Sequence, residues 1–524
     1  MLWPMPRKSV TLSAILLVCL SSTRSAPAPA PAPAPAYQQS FQSPLLTSPD
    51  KSPHHGDWDP LEHMSGISPY HDAPGANLKL PKGCTSRAIA MLIRHSSIAA
   101  NDDEWEEYME PFVQRLASHF ASPDADWPKS GRLAFLRGWK SPISSDNLEA
   151  LTEPGAHDAY RQGKRLRHLH PHLFPPLELG KKTREAGGGG KVKTPFKVWS
   201  ASSDRDVGTA KNWIRGAFPE WQRGESGEGD GKHLTLITVN NKDPNWGYSL
   251  TPHKVCKKFS KEPGTQEQRE WLEVFGQRPL RQLKNLAPEF DWKLEDVIAL
   301  PMLCGYESVI FGVGKSHFCD IFDHKTFRDF GYWNDLRYHK MVGYGSPLAP
   351  YLGAQWLNTS THNLLAIGKD ADPHDDVSFR ASLDDPLPLP PNQTHTQYLF
   401  PYFTHREEPP MALVALGIWN QTAQYDLPTD RNPEDRVWHT SHVLPFLGHV
   451  ALERITCSPS TTATSSSLSK ADFVRVIVNG AVQKLPACHD GPEGSCALDR
   501  FEQFVRERTE EYKGVEEACE GTKT

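Results

Sequence analysis

The sequence carries no excess of positive charge. Its 57 lysines and arginines stand against 63 aspartates and glutamates, a formal charge of -6, which leaves no electrostatic footprint for nucleic acid and no polybasic patch for a membrane. No CxxC pair offers structural-zinc spacing, and beyond residue 25 no apolar run is long enough to span a bilayer. The aromatic residues, 10% of the chain, suit an ordinary core and form no nucleic-acid stacking platform. His168, His170 and His172 alternate in a basic, Pro-flanked stretch, but no cysteine or carboxylate spacing accompanies them, so a solvated surface is expected there and no metal.

What is present begins at the N-terminus. Arg7 and Lys8, the apolar run Thr11 to Leu20 and the small residues Ser21 to Ala26 have the form of a secretory signal, predicting export and removal of residues 1–25. The Ala-Pro alternation that follows, with a Pro/Ser-rich stretch, predicts a stiff linker over 26–75, with folding starting near Cys84 inside a single domain of 76–524. Without Cys19 the chain keeps Cys84, Cys256, Cys304, Cys319, Cys457, Cys488, Cys496 and Cys519, an even set that predicts four disulfides in an oxidising compartment. Asn358, Asn392 and Asn420 head sequons open to glycosylation on the same route.

Three segments repeat one local pattern. The apolar run Ala88 to Ile93 reads as a buried strand ending at the polar Arg94-His95-Ser96-Ser97, followed by a helix capped by Asn101 or Asp102 and kinked or broken at Pro111. Phe196 to Trp199, then Ser200 to Asp204, then a helix with Val207, Ala210, Trp213, Ile214 and Ala217 on its apolar stripe is the second. Tyr398 to Phe403 leading into Thr404-His405-Arg406-Glu407-Glu408 and a Pro409-Pro410 first turn is the third. Strands that open into polar loops predict an α/β sheet with ligand chemistry at its carboxyl edge. Gly187 to Gly190 and Arg223 to Lys232 read as surface loops, and Phe473 to Leu485 as a hairpin turning at Asn479-Gly480 near a sheet edge.

Cleaving a phosphate ester through a covalent intermediate needs a nucleophile, fixed positive charge on the phosphoryl oxygens and an acid for the leaving alcohol. Arg94-His95 at a strand end offers the first two. The Cys84-to-His95 stretch resembles the active-site entry of the histidine acid phosphatases and fungal phytases, where a cysteine, a buried strand and an Arg-His-Gly-x-Arg-x-Pro loop follow in that order. Ser202 to Gly216, Phe318-Cys319-Asp320-Ile321-Phe322, Gly343 to Leu348, Thr404-His405 to Asn420, Ser441 to Cys457 and Arg475 to Asn479 extend the resemblance to Cys519.

The resemblance implies a three-layer, phosphoglycerate-mutase-like α/β domain with a helical cap drawn mostly from residues 206–395. It implies pairs Cys84–Cys457, Cys256–Cys519, Cys304–Cys319 and Cys488–Cys496, of which the last two also close short loops. It makes His95 the nucleophile, with Arg94 and His405 on the phosphoryl oxygens, a small phosphomonoester such as phytate or a sugar phosphate as substrate, and no cofactor.

Three departures stand out. Ile98 replaces the loop's second arginine, and the arginine expected before the second segment falls at Trp199 or Ser200. The His-Asp pair becomes His405-Arg406, and an arginine cannot protonate a leaving group. Glu407 takes the place of the glutamate in the His-Ala-Glu variant of inositol polyphosphate phosphatases and is the expected acid, although a carboxylate in a first helical turn needs no catalytic reason to be there. Arg406 would restore part of the missing charge. The substituted loop also admits a secreted pseudophosphatase that binds a phosphorylated ligand or wall partner without turnover.

Overall fold

A computed structural model describes residues 58–174, 196–219, 234–243, 247–367, 397–423, 425–458 and 470–520. The expected signal, the loops at Gly187 to Gly190 and Arg223 to Lys232, and the Asn392 sequon lie outside them.

The run beginning at Ala88 is apolar because its strand is buried on both faces. β1 (Cys84–Arg94) lies near the middle of one sheet, between β4 (Leu399–Thr404), which it meets in parallel, and β5 (His449–Cys457), which it meets antiparallel. The sheet order is β3-β2-β4-β1-β5-β6-β7, with β2 (Phe196–Ala201) and β3 (Leu234–Val239) continuing the parallel half. β6 (Ala471–Val478) and β7 (Ala481–Gln483) continue the antiparallel half, and β8 (Cys496–Ala497) pairs with β6. β7 ends that path, and the Asn479-Gly480 turn joins it to β6 with φ of 42° and 81°, the left-handed pair a two-residue hairpin turn requires.

Helices pack on the sheet. Glu153–Leu169 lies so close to Asp204–Ala217 that a Cβ on Gly163 would meet the Trp213 carbonyl and one on Gly216 the Tyr160 carbonyl. Between β3 and β4 the described chain is helical, from Gly247–Leu250 to Ala349–Ala366, and includes Asp296–Phe311, which is buried all round from Asp296 to Val309. Among the described residues no helix is long and apolar enough to cross a membrane.

The four disulfides are Cys84–Cys457, Cys256–Cys519, Cys304–Cys319 and Cys488–Cys496, the pairs the family resemblance implies. The first staples β1 to β5 at directly opposed positions. Of the sequons, Asn358 sits within Ala349–Ala366 and Asn420 follows Glu408–Leu416, both half-buried.

Three expectations need correction. Folding starts upstream of Cys84, and the linker does not reach residue 75: Pro60–His63 and Ser65–Ile67 form two 3₁₀ turns, and Leu61, Met64 and Ile67 enter the core. Proline and serine masked an apolar residue at every third position, the spacing of a 3₁₀ face. The helix near residue 105 is not simply kinked at Pro111. Asp102–Glu104 passes through a π turn, Trp105–Met109, into Glu110–Phe120, whose second residue is Pro111. Of the three alternating histidines only His168 is exposed; His170 is buried 3.9 Å from the Glu453 carboxylate, and His172 Nε2 lies 2.9 Å from the Ser86 carbonyl.

Candidate active site

The sheet register brings the two histidines together. Arg94 stands opposite Thr404 at the parallel ends of β1 and β4, so His95 and His405 leave adjacent strands at the same level. The His95 amide donates to the Thr404 carbonyl at 2.9 Å, and the Leu447 amide to the His95 carbonyl at 3.1 Å. β2 is the next strand, and its loop starts the helix that delivers Asp206.

His95 is 1% exposed. Its Nδ1 lies 2.9 Å from the Ser96 carbonyl, which can only accept, so Nδ1 carries the proton and Nε2 keeps its lone pair. Burial, with Arg94 and Arg205 adding to it, pushes the ring well below the ordinary histidine range. A neutral imidazole with a fixed tautomer is the nucleophilic form.

The loop beyond is held on several sides. Ser96 Oγ donates to the Gly155 carbonyl at 2.7 Å, its amide donates to Thr209 Oγ1 at 2.9 Å, and the Ser97 carbonyl accepts from the Thr152 amide at 2.9 Å. Ile98, fully buried, pairs with Leu151 in a short bridge. Trp199 stacks on Tyr402 at 5.0 Å, and Ser200 Oγ donates to the Ala201 carbonyl at 2.9 Å. No cation stands at these three positions.

Arg94 is wholly buried, with Phe446 4.3 Å from its guanidinium carbon. Nη1 donates to the Gly66 carbonyl at 2.6 Å and to the Leu444 carbonyl, while Nε and Nη2 have no partner among the described residues. Burial and then Arg406 lower it to about 10, which leaves it charged under physiological conditions. His405 Nδ1 lies 3.0 Å from the buried Asp206 carboxylate, and its Nε2 has no partner among the described residues. Burial works against its protonation, but Asp206 overrides that and raises the ring above its ordinary value.

Arg406 is engaged within the protein. Nη1 reaches Glu104 at 2.6 Å, Nε reaches Glu407 at 3.4 Å, and Tyr338 lies 5.9 Å from the guanidinium carbon. Glu104 also takes hydrogen bonds from Tyr306 and, at 3.2 Å, from Asn101, whose side chain therefore does not cap the helix it precedes. Glu407 is buried too; burial favours its neutral form, but His253, Arg406 and Lys261 prevail and hold it well below the usual carboxylate range. His253, from the short helix Pro252–Val255, contacts Glu408 through Nδ1 and stands 3.8 Å from Glu407 through Nε2.

Sequence reading placed Arg94, His95, His405, Arg406 and Glu407 near one another, and the structure brings them together. It did not single out Asp206, Glu104, Tyr306, Tyr338 or His253. Asp206 sat inside a motif already noted, beside Arg205, but nothing local marks its partner, His405, just after β4. Among the described residues, His253, Glu407 and Glu408 form one group whose ligand-type atoms lie within 4.8 Å of one another; the other such group uses Cys488 and Cys496, which are joined in a disulfide. In the first group His253 Nδ1 is hydrogen-bonded to Glu408, while Nε2 faces Glu407 at 3.8 Å without a hydrogen-bond partner among the described residues.

The site is thus a mixed sheet that brings two histidines to neighbouring strand ends, one of them held by a carboxylate, beside a buried arginine. The profile of the histidine phosphatase superfamily (branch 2) matches residues 87–479, and the chain belongs to that superfamily. Over 449 residues it is 24% identical to acid phosphatase PHO1 of Komagataella pastoris, spanning 84% of this chain and 82% of that one. With phytase A of Aspergillus oryzae the identity is 22% over 453 residues, spanning 84% and 87%.

Among solved structures, the phytase from D. castellii superposes with a TM-score of 0.69 at 21% identity, over 89% of each chain. The multiple inositol polyphosphate phosphatase of Bifidobacterium longum in complex with inositol hexasulfate gives 0.53 at 13% identity, over 88% of this chain and all of that one. At these identities the superpositions establish the fold. The family and its named relatives are histidine acid phosphatases and phytases, which are hydrolases.

Proposed function

We propose that the chain is an exported phosphomonoesterase in which His95 carries the phosphoryl group between substrate and water. His95 Nε2 bonds to phosphorus as the ester oxygen leaves with a proton from Glu407. Water then attacks the phosphohistidine, returns a proton to Glu407, and phosphate departs as the N–P bond breaks. Arg94 and His405 supply charge to the phosphoryl oxygens through Nη2, Nε and Nε2, donors without a partner among the described residues. Arg406 adds to that charge from its place between Glu104 and Glu407. The observation that carries the reading is the Nδ1 contact of His95 with the Ser96 carbonyl, which leaves Nε2 as the nucleophilic atom. The names of the relatives, acid phosphatase and phytase, favour a small phosphomonoester, phytate among them. The N-terminal signal and four disulfides favour export, with the sequons as glycosylation acceptors.

Release of phosphate from p-nitrophenyl phosphate and phytate across acidic pH, beside the His95→Ala form, tests the reading. Turnover that vanishes with His95 supports it; equal background rates from both proteins overturn it. The competing reading is a pseudophosphatase, to which the apolar Ile98 and the carboxylates engaging Arg406 would be suited but which the named relatives, acid phosphatases and phytases, do not favour. It expects phosphate binding without turnover.

A further inference from the structure

The acid of the proposed reaction stands 3.4 Å from Arg406 Nε and 3.8 Å from His253 Nε2, neighbours that favour its carboxylate form, yet it must hold a proton before the ester bond breaks. A dianionic phosphoryl group entering beside Glu407 makes a bare carboxylate there costlier, so a proton should move onto Glu407 as substrate docks. It needs a donor within reach.

His253 is that donor by position. Nε2 stands 3.8 Å from Glu407 Oε2, and on the opposite side of the ring Nδ1 contacts Glu408 Oε1. The ring is buried, edge-on to His405 at 5.3 Å and to Phe259 at 5.3 Å. The charged groups around the triad are Arg406 and His405 from the β4 loop and Lys261 from the chain after the His253 helix. Two ties hold the His253 segment over the site: Thr404 Oγ1 donates to the Leu250 carbonyl, and Cys256 is bonded to Cys519. An imidazole is the side chain that can give a proton from one nitrogen while holding another on its far side.

We propose that His253 is a positioning residue that loads Glu407 with the proton the leaving alcohol requires, with Glu408 anchoring its other nitrogen. As imidazolium it passes the Nε2 proton to Glu407 on substrate binding and keeps Nδ1–H on Glu408; after phosphate leaves, the proton returns from Glu407 to Nε2. The step rests on the phosphomonoesterase reading above.

Leaving groups separate this role from a structural one. The phenolate of p-nitrophenyl phosphate departs with little help, whereas the alkoxide of β-glycerophosphate needs a proton in the transition state. In the full-length protein, His253→Gln should lower kcat/KM for β-glycerophosphate about 100-fold further than for p-nitrophenyl phosphate, the size of a lost general-acid contribution. Glu408→Gln should skew the two substrates in the same direction, and it serves in place of the first variant should that one fail to fold, as judged by circular dichroism. Equal losses on both substrates, or none, overturn the role of His253 and leave the esterase reading standing. Absence of turnover of either ester by the unmodified protein overturns both.

Discussion

Replacing Asp206 by asparagine should cost stability that depends on pH in one direction. The Asp206 carboxylate and His405 Nδ1 lie 3.0 Å apart with both side chains buried. At that separation and an effective dielectric of about 20, the attraction between unit charges is about 5.5 kcal/mol. Part of it offsets the desolvation of two ions, and removing one partner of a buried pair typically costs about 3 to 5 kcal/mol. The pair raises His405 above its ordinary value of 6.5, so its contribution is whole below that pH and fades as pH climbs through the folded-state value. Urea denaturation at pH 5.5 should therefore show the full loss in Asp206→Asn, and the gap from the unmodified protein should narrow steadily towards pH 9. A gap constant across that range would show that His405 is not charged in the folded protein and would refute the electrostatic account of this pair.

Three further outcomes follow from the same structure. Restoring the family's arginine through Ile98→Arg should not improve turnover of p-nitrophenyl phosphate and should lower thermal stability, because the side chain at this position is fully buried and paired with Leu151. Glu104→Gln leaves the Arg406 guanidinium short of its 2.6 Å partner and should cost about 3 kcal/mol in chemical denaturation, while Glu104→Asp should recover part of that. Converting both Cys84 and Cys457 to alanine opens a loop between residues 373 apart and should cost about 4 to 5 kcal/mol, read as a lower urea midpoint.

Much of this could be read along the chain, because a strand ending in a polar loop is a local pattern. The Ala88 to Ile93 run, the Phe196 segment and the Tyr398 segment each announce a parallel strand, and strand-end loops of one sheet share an edge. The meeting of His95 and His405 follows from that, though the register that makes them level does not. Partners across the chain leave no local trace. Asp206 answers His405 from 199 positions upstream, Glu104 answers Arg406 across 302, and His253 reaches Glu408 across 155. Composition misled at the N-terminus, where the prolines and serines of 58–75 hide Leu61, Met64 and Ile67, core residues of a segment that Ser65 ties to the distant Thr440 and Ser441. Alternation misled at His170, which is buried 3.9 Å from Glu453, a residue of β5.

The central claim is that His95 becomes phosphorylated in a site it shares with His405. Rapid acid-free quenching during turnover of p-nitrophenyl phosphate, followed by peptide mass analysis, tests it most directly. An alkali-stable, acid-labile phosphoryl group on the peptide containing His95, absent from the His95→Ala protein, is the result expected here. Turnover at full rate with no phosphoryl group on that peptide, or with His95 replaced, would contradict it.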